Sequence, residues 1–316
     1  MSKHHSLALA AAIACALTTS AHAAPAPAAA PLVPVAAMQL GPPVGSVVSS
    51  VESPAWLVHA GATTPLRPGM QVGDGDTLRT AAGGRVYLQL PEQSTVKLGE
   101  NTEFTTPSMQ MAKDDQGSLV KGVLHILKGV FRFTTSIAGH SERRHMDIQV
   151  GVTTIGVRGT DVWGRASDDG SLVALLEGKI SMDMPGHAGM MMDQPMHYMT
   201  TAAAGTDMKM GMDVTPDKVA DWAAQTDVAA GSGVLSNDGK WVVALMSSTS
   251  DEDATNLMAK LAEAGYPSED VMVTVKGRQW HRLVIKQVAT LKDAKALAAK
   301  VAKVSPLMSP WPYQPR

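Results

Sequence analysis

The sequence has a single cysteine, few aromatic residues and almost no net charge. Cys15 lies in an apolar run near the start of the 316 residues, so the chain beyond it cannot form disulfides. The formal net charge of −2 excludes nucleic acid as a partner held by bulk electrostatic attraction. No apolar run reaches the roughly 18 residues that span a bilayer, so the sequence predicts no transmembrane segment in the mature chain.

Motifs of the common catalytic classes are also missing. No G-x-S-x-G, H-E-x-x-H or Cys-His-Asn arrangement occurs, and no pair of carboxylates suited to glycan hydrolysis is recognisable. His140, His145 and His281 stand isolated among strand-like segments. No glycine cluster opens a helix, as a phosphate-binding loop would. The sequence therefore predicts a protein that is not an enzyme and has no cofactor, copper excepted as discussed below.

The first 23 residues have the form of an export signal. A short polar and basic start, "MSKHHS", precedes an apolar run over residues 7–17 and an A-x-A site that ends at Ala23. We expect cleavage after Ala23 and a periplasmic mature protein. Lipidation at Cys15 is the alternative, which we disfavour because Ala12 stands where a lipoprotein signal usually has leucine.

The sequence predicts five parts with different composition. They are a signal peptide (1–23), a Pro/Ala-rich linker (24–43), an all-β part (44–213), a short helix with a linker (214–238) and a small α+β part (239–316). Short alternating apolar segments separated by turn residues predict many strands in the all-β part, as a sandwich or a β-solenoid-like fold. Thr215 is the predicted N-cap of the short helix, and the Gly-rich residues 229–239 predict a flexible linker.

The α+β part contains an internal repeat with an offset of 40 residues. "WVVAL" at 241–245 is matched by "HRLVI" at 281–285, and "SDEDATNLMAKL" at 250–261 by "TLKDAKALAAKV" at 290–301. In both helical segments a hydroxyl N-cap, Ser250 or Thr290, precedes an aspartate three residues later. The predicted order is β-α-β-β-α with a final short strand near residues 305–313. This predicts an antiparallel sheet with two helices on one face.

The alternation along the two repeated strands predicts which residues face the helices. Val243, Leu245, Leu283 and Ile285 share one parity and are apolar, so we expect them on the helix side. The opposite parity predicts an open face that contains Val242, Ala244, Met246, Trp280, Arg282, Val284 and Lys286. Trp280 and Arg282 are then displayed side by side. The alternative is that the C-terminal tail "SPWPYQPR" covers them.

These residues resemble a SPOR domain, the bacterial module that binds septal peptidoglycan at glycan strands stripped of stem peptides. The similarity covers residues 239–313 and includes the repeat and the W-x-R-x-x-I pattern at 280–285. It implies a role connected with cell division and a glycan site on the open face formed by Ser247, Trp280, Arg282 and Val284. The chain departs from the family pattern at Ala244, where glutamine is usual, and at Lys286–Gln287, where Gly-Pro is usual.

The all-β part resembles the FecR-type periplasmic domain. The similarity rests on "GMQVGDGDTLRT" at 69–80, "LHILKGVFRF" at 124–133 and "TTIGVRGTDVWGR" at 153–165. It implies an all-β fold that interacts with an unknown envelope protein. The best known members relay a signal from an outer-membrane receptor to a membrane-embedded sigma regulator. The cleavable signal replaces their cytoplasmic region and membrane helix, which disfavours such a direct relay.

Arg158 and Asp161 within that last motif allow two interpretations. They could form an anion or carboxylate site, or they could be a buried structural ion pair at a strand turn, where Gly159 permits the backbone path. We favour the structural interpretation.

A methionine-rich segment at residues 182–212 forms a candidate copper site. It holds 10 of the 20 methionines of the chain, and thioether with imidazole ligands suits Cu(I). The alternatives are an adaptable hairpin and a sacrificial oxidation site. The candidate ligands are Met182, Met184, His187, Met190, Met191, Met192, Met196 and His197.

Taken together, the sequence predicts a non-enzymatic, exported cell-envelope protein. Its α+β part is expected to bind peptidoglycan, and its all-β part to take part in protein interaction or signalling. The alternatives are a periplasmic copper-binding or copper-response protein and a signalling partner of an outer-membrane transport system.

Overall fold

The computed structural model describes residues 40–43, 45–114, 117–135, 143–203, 205 and 207–315. The predicted signal peptide, most of the Pro/Ala-rich linker and His140 lie outside these residues. Residues 38–316 belong to one compact unit. Within the described part of the chain, no helix is long and apolar enough to cross a membrane.

The described residues form 23 strands and three helices. The strands are β1 (Leu40–Pro43), β2 (Ser46–Glu52), β3 (Ala55–His59), β4 (Ala62–Pro65), β5 (Gln71–Val72), β6 (Asp76–Thr80), β7 (Arg85–Gln89), β8 (Thr95–Leu98), β9 (Glu103–Asp114), β10 (Gly117–Thr134), β11 (Arg143–Val150), β12 (Thr153–Val157), β13 (Asp161–Ser167), β14 (Gly170–Glu177), β15 (Ile180–Met184), β16 (His187–Met192), β17 (His197–Ala202), β18 (Met208–Gly211), β19 (Val234–Ser236), β20 (Trp241–Ser248), β21 (Glu269–Val275), β22 (Arg278–Val288) and β23 (Trp311–Tyr313). The helices are α1 (Pro216–Thr226), α2 (Asp251–Glu263) and α3 (Leu291–Val301).

The all-β region, β1 to β18, consists of two sheets that share the 18-residue strand β10. One sheet has the order β16-β15-β12-β11-β10-β9-β6-β3-β4, with β1 also paired to β9. The other has the order β18-β17-β14-β13-β10-β8-β7-β2. The sheets enclose one core, because buried and partly exposed residues alternate along strands such as β7 and β12. The all-β prediction is confirmed.

The α+β region, β20 to β23 with α2 and α3, follows the predicted order. Its sheet runs β21-β22-β20-β23 and is antiparallel. The Ser250 side chain accepts a hydrogen bond from the Asp253 backbone N–H, and Thr290 does the same for Asp293, so both predicted caps are present. Val243, Leu245, Leu283 and Ile285 are buried on the helix side, as predicted.

The structure corrects the prediction of a flexible linker at residues 229–239. Residues 234–236 form β19, which pairs with β2 of the all-β region and with β22 of the α+β region. One sheet therefore continues across both regions. The glycines that suggested flexibility are fixed, because the Asp293 carboxylate accepts hydrogen bonds from the backbone N–H groups of Gly231, Gly233 and Val234. The domain boundaries themselves remain predictions.

Asp293 is a buried acid whose surroundings favour its charged form. Burial by itself raises the pKa of a carboxyl group. The hydroxyl of Thr290 and the three backbone N–H groups outweigh that effect, so the pKa of Asp293 lies below its ordinary value of 3.8. The carboxylate thus ties the first turn of α3 to the segment that leads into β19.

The helix side of the α+β region packs against the all-β region. The Trp56 indole N–H donates to the Ala262 carbonyl over 3.0 Å, and the Ala55 N–H donates to the Gly265 carbonyl over 3.3 Å. The Lys300 ammonium lies 3.0 Å from the buried Glu52 carboxylate. We call this contact between the two regions the junction. It leaves the opposite side of the sheet uncovered by helices.

Candidate functional site

The open face is the side of the α+β sheet that points away from α2 and α3. The strand register sets its membership, because residues directly opposite each other on neighbouring strands point to the same side. Val273 is opposite Trp280, Val271 is opposite Arg282, and Ala244 is opposite Val284. On the outer strand β23, Trp311 and Tyr313 join the same side through their partners Ala244 and Val242.

A bulge in β20 determines which polar side chain joins Arg282. The register shifts between Ala244 and Met246, so Ser247 pairs with Arg282. The Arg282 Nε donates to the Ser247 Oγ over 3.3 Å. Strict alternation had predicted Met246 on the open face. That prediction is wrong, because the extra residue moves Met246 opposite Leu283 and packs it against the main core.

Trp280 lies next to this pair and is partly buried. The Arg278 guanidinium lies over the Trp280 ring at 5.8 Å from its centroid and also donates to Thr249 over 3.1 Å. The sequence-based site missed Arg278, although its spacing of two from Trp280 was a usable signal. Aromatic, guanidinium and hydroxyl groups together suit a sugar, whose C–H face packs on a ring while its hydroxyls accept and donate hydrogen bonds.

The centre of the open face is a small apolar cluster rather than exposed polar surface. Val242, Ala244 and Val284 are buried, with Val271 and Tyr313 packed against them. Val284 was predicted to contact the ligand. Its side chain is only 1% exposed, so it supports the neighbouring residues of the face and does not contact a ligand itself. Residues 311–313 form β23, which pairs with residues 242–244 at the edge of the sheet, so this part of the C-terminal tail does not cover Trp280 and Arg282.

The predicted pair of Arg158 and Asp161 does not form. The Asp161 carboxylate instead binds Arg132 of the neighbouring strand β10, with Nε–Oδ1 and Nη2–Oδ2 distances of 2.9 and 2.6 Å. This bidentate bond raises the pKa of Arg132. Arg158 is exposed, because the turn at Gly159, with a φ of +68°, directs the chain away before β13 begins. The structural interpretation of Asp161 thus applies with a different arginine.

The structure distributes the candidate copper ligands over separate places. Met182, Met184 and Met192 are buried in the main core, and Met190 packs against it. Met196 packs against a second cluster around the stacked Trp163 and Trp222. Met191 and His187 are exposed, and His197 lies on β17 of the other sheet. No group of three or more His, Cys, Asp or Glu side chains placed to hold a metal occurs among the described residues.

Solved structures offer only a distant similarity. Two crystal structures of a proposed anti-sigma factor from Parabacteroides distasonis match at 14% sequence identity and a TM-score of 0.37. One match covers 73% of this chain and 91% of that protein, and the other covers 64% and 96%. Similarity at this level supports no argument about fold or function. No curated protein matches the chain.

Two protein families match separate parts of the chain. The sequence model described as FecR protein matches residues 76–181, and that described as SPOR domain matches residues 237–310. SPOR domains imply peptidoglycan binding, FecR domains imply signalling, and both families are non-catalytic and typical of envelope proteins. The chain therefore carries a FecR-type domain in its all-β region, followed by a C-terminal SPOR domain.

Proposed function

We propose that the protein is a periplasmic cell-wall adaptor that binds peptidoglycan glycan strands stripped of stem peptides through its open face. The hydrogen bond between Arg282 and Ser247 carries this proposal, since it joins the two polar side chains beside Trp280. Those three side chains offer a ring for a pyranose and donors for its oxygens.

The glycan would bind without a deep pocket. A planar ring and a guanidinium on neighbouring positions of a strand bind an extended chain by stacking and by a fork of donors, and they lose little side-chain freedom in doing so. The rigid apolar cluster beneath them holds the face flat. Binding at such a surface places the protein on the wall rather than changing the wall chemically.

The FecR-type domain would then present a protein-interaction or signalling surface at a fixed orientation to the wall. Trp56, Glu52 and Ala55 bind the α+β region directly, so movement of one domain relative to the other would break these partly buried hydrogen bonds. An envelope protein that binds the FecR-type domain is thereby localised where glycan strands lack peptides.

Co-sedimentation with purified sacculi tests the proposal. The chain from Ala24 should sediment with amidase-treated sacculi and much less with untreated ones. Trp280→Ala and Arg282→Ala should each lower the affinity on the order of tenfold, as loss of a central aromatic or arginine anchor does. Arg79→Ala is the matched control for Arg282→Ala, because Arg79 is an exposed arginine of the FecR-type domain that pairs with the half-exposed Glu103. Circular dichroism must show both variants folded. Equal sedimentation of all four proteins would contradict the proposal.

A further inference from the structure

Two neighbouring depressions lead from the open face to the FecR-type domain. The first, of about 510 Å³, lies on the α+β region and includes Lys240, Tyr313, Lys286 and Gln287 in its lining. The second, of about 410 Å³, is lined by residues 67–70 of the FecR-type domain together with Glu269, Lys286 and Gln287. Because both are lined by Lys286 and Gln287, the two depressions adjoin each other, and we call them together the junction trough.

The FecR-type wall of the trough is a preset turn at residues 67–70. The Gly69 N–H donates to the Val48 carbonyl over 2.8 Å, and the Val48 N–H donates to the Met70 carbonyl over 2.9 Å. Gly69 has a φ of +85°, which side chains other than glycine rarely adopt. The turn is thus fixed to β2, and Arg67 at its start is held beside the edge of the α+β sheet.

The other wall is a bulge in β22 at the place where this chain departs from the SPOR pattern. Ile285 is opposite Val243 and Val288 is opposite Trp241, so one extra residue is present on β22. Gln287 accommodates it with a φ of +59°, an unfavourable conformation for a residue with a side chain. A bulge changes the direction of the side chains near it. This one places Lys286 and Gln287 in the lining of both depressions.

The trough carries an excess of positive charge. Its charged lining residues are Arg67, Lys240 and Lys286 against the single acid Glu269. Glu269 lies 3.2 Å from the Arg67 Nη1 and 2.7 Å from the Lys286 Nζ, so one carboxylate is shared by two cations. Glu269 engages one nitrogen of the Arg67 guanidinium, whose fork matches a second carboxylate. The charge and the donors therefore fit an anionic ligand.

We propose that the junction trough is a subsite for the free lactyl carboxylate of a muramic acid unit, so that the glycan site spans both domains. In intact wall this carboxyl group forms an uncharged amide bond that carries the bulky stem peptide. Hydrolysis of that amide by an amidase releases the peptide amine and leaves the carboxylate on the sugar. Arg67 and Lys286 would thus bind a carboxylate that is present only after the peptide has been removed. This inference rests on the proposed function.

The positions on β22 set the length of ligand that fits. Trp280 and Gln287 are seven residues apart, which corresponds to about 23 Å along an extended strand. One ligand that touches both therefore has to be a chain of several sugars rather than a single sugar. Trp280 would stack on one sugar of the glycan strand, and the trough would bind the carboxylate of a muramic acid unit further along the same strand.

The test measures binding of the chain from Ala24 to amidase-treated sacculi in two forms. One form is left untreated, and in the other the free carboxylates are converted to neutral amides with carbodiimide and ethanolamine. Arg67→Ala and Lys286→Gln should weaken binding to the untreated form about fivefold each, as loss of a charge-assisted contact at the rim does. Blocking the carboxylates should weaken the wild type by at least that factor and weaken Arg67→Ala by a smaller factor, because only Lys286 still contacts the carboxylate in that variant. Arg79→Ala is the matched control, because its side chain is 51% exposed beside one glutamate at 3.2 Å, against 56% and 3.2 Å for Arg67.

The outcomes separate this inference from the proposed function. If Arg67→Ala and Lys286→Gln bind as Arg79→Ala does while Trp280→Ala binds about tenfold more weakly, the subsite is refuted and the open-face proposal stands. A further refutation would be that blocking the carboxylates weakens wild type and Arg67→Ala equally. If the wild type fails to bind amidase-treated sacculi at all, the proposed function fails and the subsite with it.

Discussion

The two sides of the α+β sheet differ in burial, although alternate residues of the same strands form them. Leu283 is fully buried on the helix side, and its neighbour Arg282 lies on the open face, hydrogen-bonded to Ser247. The helix side is closed twice, first by α2 and α3 and then by the FecR-type domain at the junction. The open face keeps Trp311 at 41% exposure.

This difference indicates that adjacent residues of one strand have different roles, one in stability and the next in binding. Changes on the helix side should lower the free energy of unfolding and leave the binding surface of the folded protein intact. Changes on the open face should lower binding and leave stability nearly unchanged. Variants on each side of the sheet therefore serve as controls for variants on the other side.

The largest effect is expected from Leu283→Ala. Removal of this buried side chain should lower the free energy of unfolding by about 3 kcal/mol, through lost burial and the cavity left behind. Arg282→Ala should cost less than about 1 kcal/mol, since its contacts lie at the surface. Because one core cluster includes residues of both domains, urea denaturation followed by fluorescence should show a single transition for both variants. Two separate transitions would contradict the shared core.

A pair of glycines sharpens the comparison at the junction. Gly265 and Gly277 have nearly the same φ, +77° and +78°, so alanine is strained at both. A Cβ at Gly265 would also lie 2.7 Å from the Trp56 ring, whereas a Cβ at Gly277 would meet nothing within 4 Å. We expect Gly265→Ala to lower the free energy of unfolding by about 2 kcal/mol more than Gly277→Ala. Thermal denaturation of both variants measures this, and equal losses would show that the junction is loose.

The two halves of the internal repeat give a third test. Asp293 is 1% exposed and bonds three backbone N–H groups of the chain that leads into β19. Asp253, at the same place in the other half, is exposed and bonds the Ser248 hydroxyl. Asp293→Ala should cost about 2 kcal/mol because it leaves buried N–H groups without a partner, and Asp253→Ala less than about 1 kcal/mol. Urea midpoints that fall equally would refute the structural role given to Asp293.

The smallest effect is the pH dependence that Asp293 contributes. Its pKa is lowered in the folded protein, so the carboxylate stabilises the fold above its ordinary value of 3.8, and this contribution is lost as the pH falls through the lower folded-state pKa. Asp293→Asn should be less stable than the wild type at neutral pH, and the difference should shrink below about pH 4. Urea midpoints between about pH 2 and pH 6 measure it. A difference that stays constant over this range would contradict the assignment.

The sequence predicted correctly those features that depend on local patterns, namely N-caps and the alternation of apolar residues. The caps at Ser250 and Thr290, the order of elements in the repeat and the burial of Leu283 follow from hydroxyl N-caps and alternation, and all three are present. Met246 was misplaced because a one-residue bulge reverses alternation, and no sequence signal marked it.

Tertiary contacts explain the remaining errors. Residues 229–239 were predicted to be flexible from their glycine content, but the carboxylate of Asp293 accepts hydrogen bonds from Gly231, Gly233 and Val234, which lie 59 to 62 positions earlier in the chain. Arg158 was paired with Asp161 because it is near in sequence, whereas β10 brings Arg132 closer in space. The trough could not be predicted because its lining residues, such as Arg67 and Glu269, are far apart in the sequence.

The most direct test of the two-sided account follows the tryptophan indole N–H signals in a ¹H–¹⁵N spectrum. Soluble denuded glycan fragments, released from amidase-treated sacculi by a muramidase, would be added to the ¹⁵N-labelled chain. The account predicts that the Trp280 signal shifts with increasing glycan while the Trp56 signal, whose indole N–H bonds Ala262 at the junction, stays in place. Assignment uses Trp280→Phe and Trp56→Phe. A shift of Trp56 with no change at Trp280 would contradict the account.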